Sequence, residues 1–218
     1  MRGRTSVPSA AYREDRRLFL VTVAAAATSI AALLLHLAGA IRMPYTLTFV
    51  TLPGTIFLMA LLILARRVNR PVTIRRLQVG AIAGVLGLVA YNATRWVVAE
   101  LLALPNSPFY SIYIFGSLIT AQAPDTTAAI VAGWLYHVSN GITFAIMYTL
   151  VAGPARWWFG LLWGLALETA MLVVYPSSAI LRPPALASFV VVSLISHAVY
   201  GAVIGLVSQR YARLRSAP

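Results

Sequence analysis

The feature that most constrains this chain is a run over residues 126–155 that contains no Asp, Glu, Lys or Arg. About 20 apolar residues are enough to cross the hydrocarbon core of a bilayer as an α-helix. Within the run, His137 and Asn140 are one helical turn apart and lie on one face of such a helix. Polar side chains at this depth are costly and by default mark a functional site. The run therefore predicts a transmembrane helix that carries a buried polar site.

The composition extends this prediction to a membrane protein with several spans. Of 218 residues, 60% are apolar and only 10% are charged, less than half the charged fraction of soluble domains. The net charge of +12 comes from arginines at predicted helix ends and in short loops. Membrane topology explains that distribution, so we exclude nucleic-acid binding. The absence of cysteine excludes disulfides, thiolate catalysis, Fe–S clusters and Cys-zinc sites.

Apolar runs predict an all-α fold with six transmembrane helices in one domain, residues 18–209. Basic cytoplasmic tails at 1–17 and 210–218 flank this domain. The predicted spans are 18–41, 46–65, 77–104, 126–153, 157–175 and 186–209. Pro53-Gly54 should kink the second span. Residues 109–119 are too short for a span, so we predict a re-entrant or interfacial segment between spans three and four that covers the outer face.

The arginines predict the orientation of these spans. An even number of spans places both termini on one side of the membrane, and most of the arginines then share that side. By the positive-inside rule this side is the cytoplasm. We therefore expect a multi-pass protein of the bacterial inner membrane with both termini in the cytoplasm.

Six polar side chains from four predicted spans fall in one layer, roughly 17–27 Å from the cytoplasmic helix ends at about 1.5 Å per residue. They are Asn92, Arg95, His137, Asn140, Glu168 and His197. The ionisable ones belong to rows of small residues at four-residue spacing, such as Gly160–Gly164–Glu168. Such rows are typical of closely packed membrane helices. We expect the layer to face the interior of a functional bundle over 77–209, with the first two spans peripheral.

Two coordination chemistries fit this layer. His137, His197 and Glu168 match a ligand set for a divalent metal such as Zn²⁺ or a non-haem iron, with Asn140 or Tyr200 orienting a ligand or water. Alternatively, the two histidines would be the axial ligands of a b-type haem.

A transport site fits the same residues. Glu168 would then pair with Arg95, and the histidines would relay protons or bind solute. Asn92 and Asn140 would supply neutral hydrogen bonds. A purely structural layer competes with both chemistries, because interhelical polar contacts each contribute around 1 kcal/mol.

The leading hypothesis is a site for a small ligand or ion, with metal or haem binding as its sharpest form. The alternatives are a proton-linked transporter or solute-binding subunit, and a structural subunit of a membrane complex or homo-oligomer. No phosphate-binding loop or Gly-x-Ser-x-Gly elbow is present, and no catalytic residue is predicted.

The last 85 or so residues resemble a known type of small membrane protein. They contain His137 with Tyr148 eleven residues later, Gly160-Leu-Leu-Trp-Gly164, Pro176, and Ser196-His197-Ala-Val-Tyr200-Gly201 before a terminal arginine. This order is similar to bacterial inner-membrane proteins of the YagU type and related uncharacterised families. The resemblance implies a bacterial membrane setting and supports the histidine positions. It implies no reaction and offers no counterpart of Glu168.

Overall fold

The computed structural model describes residues 9–64, 71–174 and 186–213, and within these ranges the regular structure is helical with no strand. The all-α class is therefore confirmed. The elements are α1 (Ser9–Leu37), α2 (Met43–Thr46), a π-helical turn (Leu47–Thr51), α3 (Leu52–Ile63), α4 (Pro71–Leu101), α5 (Tyr110–Thr120), α6 (Thr127–Ala152), α7 (Trp157–Val174) and α8 (Leu186–Tyr211).

Five helices in the described ranges are long and apolar enough to cross a membrane, which indicates an integral membrane protein. These candidate spans are Arg16–Leu37, Met43–Ile63, Val72–Leu101, Thr127–Ala152 and Ala187–Tyr211. Each begins and ends within about five residues of a span predicted from the apolar runs. The remaining predicted span corresponds to α7, which is apolar but shorter. The count of six therefore stays a prediction.

The predicted interruption of the second span takes the form of a π-helical turn. The turn ends at Thr51, two residues before Pro53. Proline has no backbone N–H and cannot continue the regular i→i−4 ladder, and a wider turn is one way to absorb the missing bond. This part of the chain packs on α1, where the Thr51 hydroxyl donates to the Thr28 carbonyl at 3.0 Å.

The helices α7 and α8 pack closely, and glycines make that proximity possible. Gly160 lies against Gly201 and Gly205, and Gly164 lies against the backbone of His197. A Cβ at any of these four glycines would come within 3.0 Å of backbone atoms of the other helix. The row of small residues that ends in Glu168 is therefore a helix-packing surface, as predicted.

Glycines also allow the helices to approach closely at the centre of the bundle, where α4 packs between α6 and α8. Gly80 and Gly84 lie against the backbone of α6, and Gly87 lies against the ring of Tyr200 on α8. Gly141 of α6 in turn accommodates Leu88 of α4. These glycines are occupied by contacts inside the bundle, so they do not provide the outward-facing rows that would favour a subunit of a larger complex.

The helix α5 lies along the first turns of α6 and runs antiparallel to it. The carbonyl of Ile112 faces Gly133, and Gly116 faces the carbonyl of Ala129. Because α6 begins at Thr127, the first turn of α5 lies deeper in the bundle than its last turn. The first turn of α5 therefore lies at the level of Gly133, and its last turn lies nearer the start of α6.

Candidate functional site

A cavity of about 150 Å³ lies in the bundle and is lined by residues of six helices. Five predicted site residues line it: His137 and Asn140 of α6, Glu168 of α7, and His197 and Tyr200 of α8. Aromatic and aliphatic side chains of α1, α4, α5 and α7 form most of the remaining wall. Four of the six side chains predicted to share a layer, His137, Asn140, Glu168 and His197, therefore line one cavity, together with Tyr200.

The most buried charged group on the cavity wall is Glu168, and it pairs with His197. Its Oε2 lies 3.0 Å from His197 Nδ1, and the two side chains are 2% and 19% exposed. The same nitrogen lies 3.0 Å from the carbonyl oxygen of Ser193. Both neighbours of Nδ1 accept hydrogen bonds, so this nitrogen carries a proton in the network that satisfies them.

The second carboxylate oxygen of Glu168 is different. Oε1 is fully buried and has no hydrogen-bond partner among the described residues. An unpaired buried acceptor is costly, and more so when it belongs to a charged group. Glu168 therefore presents an unused acceptor in a side chain that lines the cavity.

The other imidazole has a neutral partner. His137 Nε2 lies 3.1 Å from the Asn92 side-chain oxygen, which can only accept, so Nε2 is the donor in this orientation of the amide. Asn92 does not line the cavity but orients a histidine that does. The ring of Tyr91 contacts both imidazoles, with centroid distances of 5.4 Å to His137 and 4.9 Å to His197.

Arg95 is 1% exposed and lies beside the cavity rather than on its wall. Its Nε donates to the Pro108 carbonyl, and its Nη1 donates to the hydroxyls of Tyr91 and Ser193 at 2.8 and 3.0 Å. The guanidinium thus ties the chain before α5 to α4 and α8. Its Nη2 has no hydrogen-bond partner in the described part of the chain.

The predicted pairing of Arg95 with Glu168 is wrong, because the carboxylate pairs with His197 instead. The physical reason is the helix arrangement. The described residues of α4 and α7 both pack on α8 and not on each other, so the carboxylate of α7 meets the histidine of α8 first.

The expectation that the first span is peripheral also needs correction. Ser29 of α1 donates to the Asn140 side-chain oxygen at 2.6 Å, and Tyr136 donates to the Ser29 carbonyl at 3.0 Å. Tyr200 similarly ties α8 to α6 by donating to the Gly141 carbonyl at 2.6 Å. Asn140 and Tyr200 therefore line the cavity while holding neighbouring helices together.

Sequence reasoning gave no site role to Ser29 or Tyr91 and did not place Ser193 in the buried layer. Tyr91 and Ser193 lie four residues before Arg95 and His197, and that helical spacing was the available signal. Ser29 is the one serine of the candidate span Arg16–Leu37, which is rich in alanine, and this position carries no such signal. His36 accepts from the Met43 backbone N–H at 3.4 Å and belongs to the turn after α1, not to the cavity wall.

The described residues contain no group of three or more His, Asp or Glu side chains that could hold a metal ion. His137, Glu168 and His197 therefore do not form the predicted three-ligand set. The haem arrangement needs an open gap between the two histidines, whereas the Tyr91 ring packs against both of them. The geometry instead offers an apolar cavity with a few convergent polar groups, the usual form of a small-molecule site.

The comparisons with known proteins concern mainly the C-terminal two thirds of the chain. No curated protein and no solved structure matches it. One family matches residues 74–218, a range that contains every cavity residue except those of α1. It covers the region that resembles the YagU type, but no named relative supports that resemblance specifically. The chain belongs to this family, which is described as a family of unknown function, DUF6789.

Proposed function

We propose that this protein binds a small, uncharged molecule inside the membrane, in the cavity between α1, α4, α6, α7 and α8, through a hydrogen bond to Glu168. The observation that carries the proposal is the buried Oε1 of Glu168, which has no partner in the described chain although its residue lines the cavity. A ligand with a hydroxyl or N–H group would satisfy this oxygen once the carboxylate turns it toward the cavity. A charged acceptor makes the stronger kind of hydrogen bond, contributing about 1.5–3 kcal/mol.

The charges around the cavity favour an uncharged ligand. The carboxylate already has His197 beside it at 3.0 Å, and Arg95 joins the same network through Ser193. The guanidinium of Arg95 therefore offsets the negative charge of Glu168 before any ligand arrives. A cationic ligand would add an unbalanced charge in a low-dielectric site, which is costly.

The size of the cavity favours a ligand, or a ligand head, of about one aromatic ring. A cavity of 150 Å³ lined by apolar side chains is large enough for benzene, and this cavity has about that volume. Tyr91, Phe115 and Phe144 provide aromatic surface on its wall. A phenol combines the ring that fits the volume with the donor that fits Glu168.

The test compares 4-fluorophenol with fluorobenzene, which has the same ring but no donor. Both would be titrated into the purified protein in lipid nanodiscs, and binding would be read from the ¹⁹F NMR shift. We expect wild type to prefer the phenol by about 10- to 150-fold, from the hydrogen-bond contribution above. Glu168→Leu should lose this preference while still binding fluorobenzene.

The matched control is Glu100→Leu, which removes an exposed carboxylate at the end of α4. It should keep the wild-type preference for the phenol. The proposal fails if wild type binds neither probe saturably, or if Glu168→Leu retains the preference.

The proposed membrane setting is the bacterial inner membrane, with six spans and both termini in the cytoplasm. Support for α7 as the sixth span comes from its close glycine packing against α8 and from the site carboxylate that it carries. Support for α5 as a re-entrant segment comes from its first turn, which lies at the level of Gly133 rather than at the start of α6.

This topology can be tested by labelling, because the sequence contains no cysteine. Single variants Gln122→Cys, between α5 and α6, and Arg213→Cys, after α8, would be treated with a membrane-impermeant maleimide in intact cells. We expect Gln122→Cys to react from outside and Arg213→Cys to react only after permeabilisation. The reverse pattern, or reaction of both from outside, would contradict the proposed orientation.

Proton-linked transport is the second candidate, and one observation favours it. Glu168 and His197 are two titratable groups in contact on the wall of the same cavity, an arrangement that can exchange a proton when a ligand binds. Transport requires ligand flux across proteoliposomes that responds to a pH gradient. That response should disappear in Glu168→Gln, and binding without flux would leave the first candidate alone.

A further inference from the structure

Two exposed residues on the cavity wall, one on α1 and one on α7, indicate an opening on the side of the bundle between these helices. Leu34 of α1 and Ala170 of α7 both line the cavity, and both are exposed on the outer surface of the protein, Leu34 to 47%. Among the described residues, no Cα of α1 lies within 8 Å of a Cα of α7. The backbones of the two helices therefore stay apart beside the cavity.

This opening faces the apolar part of the structure. Leu34 lies within the candidate span Arg16–Leu37, and Ala170 lies within the apolar helix Trp157–Val173. The next exposed side chain on the α7 surface is Val173, which is 74% exposed and apolar. A surface of this kind at this depth contacts lipid chains rather than water.

Small side chains keep the α7 side of the opening clear. Alanines occupy the exposed positions 166 and 170, one helical turn apart, and Thr169 beside them is exposed but does not line the cavity. Across the opening, Leu34 is the last cavity-lining residue of α1. The width of the opening therefore depends on a few side chains that can be enlarged without disturbing the buried core.

We propose that the ligand is a membrane-soluble amphiphile that enters from the lipid through this opening, with a neutral hydroxyl-type head at Glu168 and an apolar tail that passes between Leu34 and Ala170. This inference rests on the proposed function and adds the ligand class and the route. The cavity has room for about one ring. A longer tail therefore has to remain in the opening or in the bilayer, where its apolar surface is already favourably placed.

The test uses two phenols, one that the cavity can enclose and one whose tail has to pass through the opening. The small probe is 4-fluorophenol, which the cavity can enclose, and the long probe is 4-octylphenol, measured by its displacement of the small probe in nanodiscs. Ala170→Trp should weaken 4-octylphenol at least tenfold more than it weakens 4-fluorophenol. Leu34→Trp, on the opposite side of the opening, should show the same selective loss.

The matched control is Thr169→Trp, which adds the same side chain to an exposed neighbour that does not line the cavity. It should bind both phenols as wild type does. If both tryptophan variants at the opening bind 4-octylphenol like wild type, or lose both phenols equally, the lateral route is overturned. If wild type binds neither phenol, the proposed function itself fails, so the two failures are distinguishable.

Discussion

Replacing Gly164 by alanine should separate α7 from α8 at the level of the site. The new methyl carbon would lie closer than 3.0 Å to the His197 carbonyl oxygen and 3.0 Å from Gly201 Cα, whereas ordinary contact begins at 3.4 Å. The helices must therefore move apart locally by more than about 0.4 Å. Overpacking of this kind costs about 1–3 kcal/mol.

The same movement should weaken the pair on the cavity wall. Gly164 is one helical turn before Glu168, and the atom that it contacts belongs to His197, the partner of that carboxylate. A displacement of 0.4 Å along the line of the pair would lengthen its 3.0 Å contact to about 3.4 Å, near the limit for a hydrogen bond. We expect Gly164→Ala to lose stability and to lose most of the preference for 4-fluorophenol over fluorobenzene.

The assay pairs thermal unfolding, followed by intrinsic tryptophan fluorescence in detergent, with the ¹⁹F titration. Gly160→Ala is the control, since its methyl group would meet the backbone of Gly201 and Gly205 in the same way but about 12 Å from Glu168 along α7. The control should be destabilised by a similar amount and keep the phenol preference. Wild-type stability in both variants would refute the close packing, and an unchanged preference in Gly164→Ala would refute its link to the site.

Two further predictions concern the arginine beside the cavity and the coordination hypotheses. Arg95→Lys should speed amide hydrogen exchange over residues 102–112 and lower the free energy of unfolding by about 1–3 kcal/mol, because one ammonium cannot replace a forked guanidinium that donates to Pro108, Tyr91 and Ser193 together. The control, the exposed Arg75→Lys, should lower it by less than about 0.5 kcal/mol. Equal exchange in both variants would contradict the anchoring role of Arg95. Elemental analysis and an optical spectrum of purified wild type should show less than equimolar metal and no Soret band, whereas equimolar metal or a Soret band that disappears in His197→Ala would restore the coordination hypothesis.

The sequence predicts those parts of the fold that depend on the spacing of residues along a single helix. Hydropathy locates the apolar helices, and small residues four apart mark the surfaces where helices approach, as Gly160 and Gly164 do against α8. Depth along a helix follows from the residue count, which is why His137, Glu168 and His197 were expected in one layer and do line one cavity.

The choice of partners within that layer depends on information that is not local. Glu168 contacts His197 rather than Arg95 because of which helices are neighbours and how each is rotated, and neither follows from spacing within one helix. Ser29 shows the same difficulty, since its partner Asn140 lies 111 residues away in the sequence. Hydropathy cannot distinguish a segment that turns back into the bundle from one that lies across its end when the helix has only 11 residues, so a re-entrant α5 stays a prediction.

A purely structural role explains part of the layer but not its carboxylate. The bonds of His137 with Asn92 and of Ser29 with Asn140 pair each group inside the bundle, as interhelical contacts should. Glu168 is different, because a neutral side chain could tie α7 to α8 without a buried charge and without an unpartnered oxygen. An occupant that donates to this oxygen would offset its desolvation cost. The cavity beside it supplies the space, so ligand binding explains the carboxylate and the cavity together.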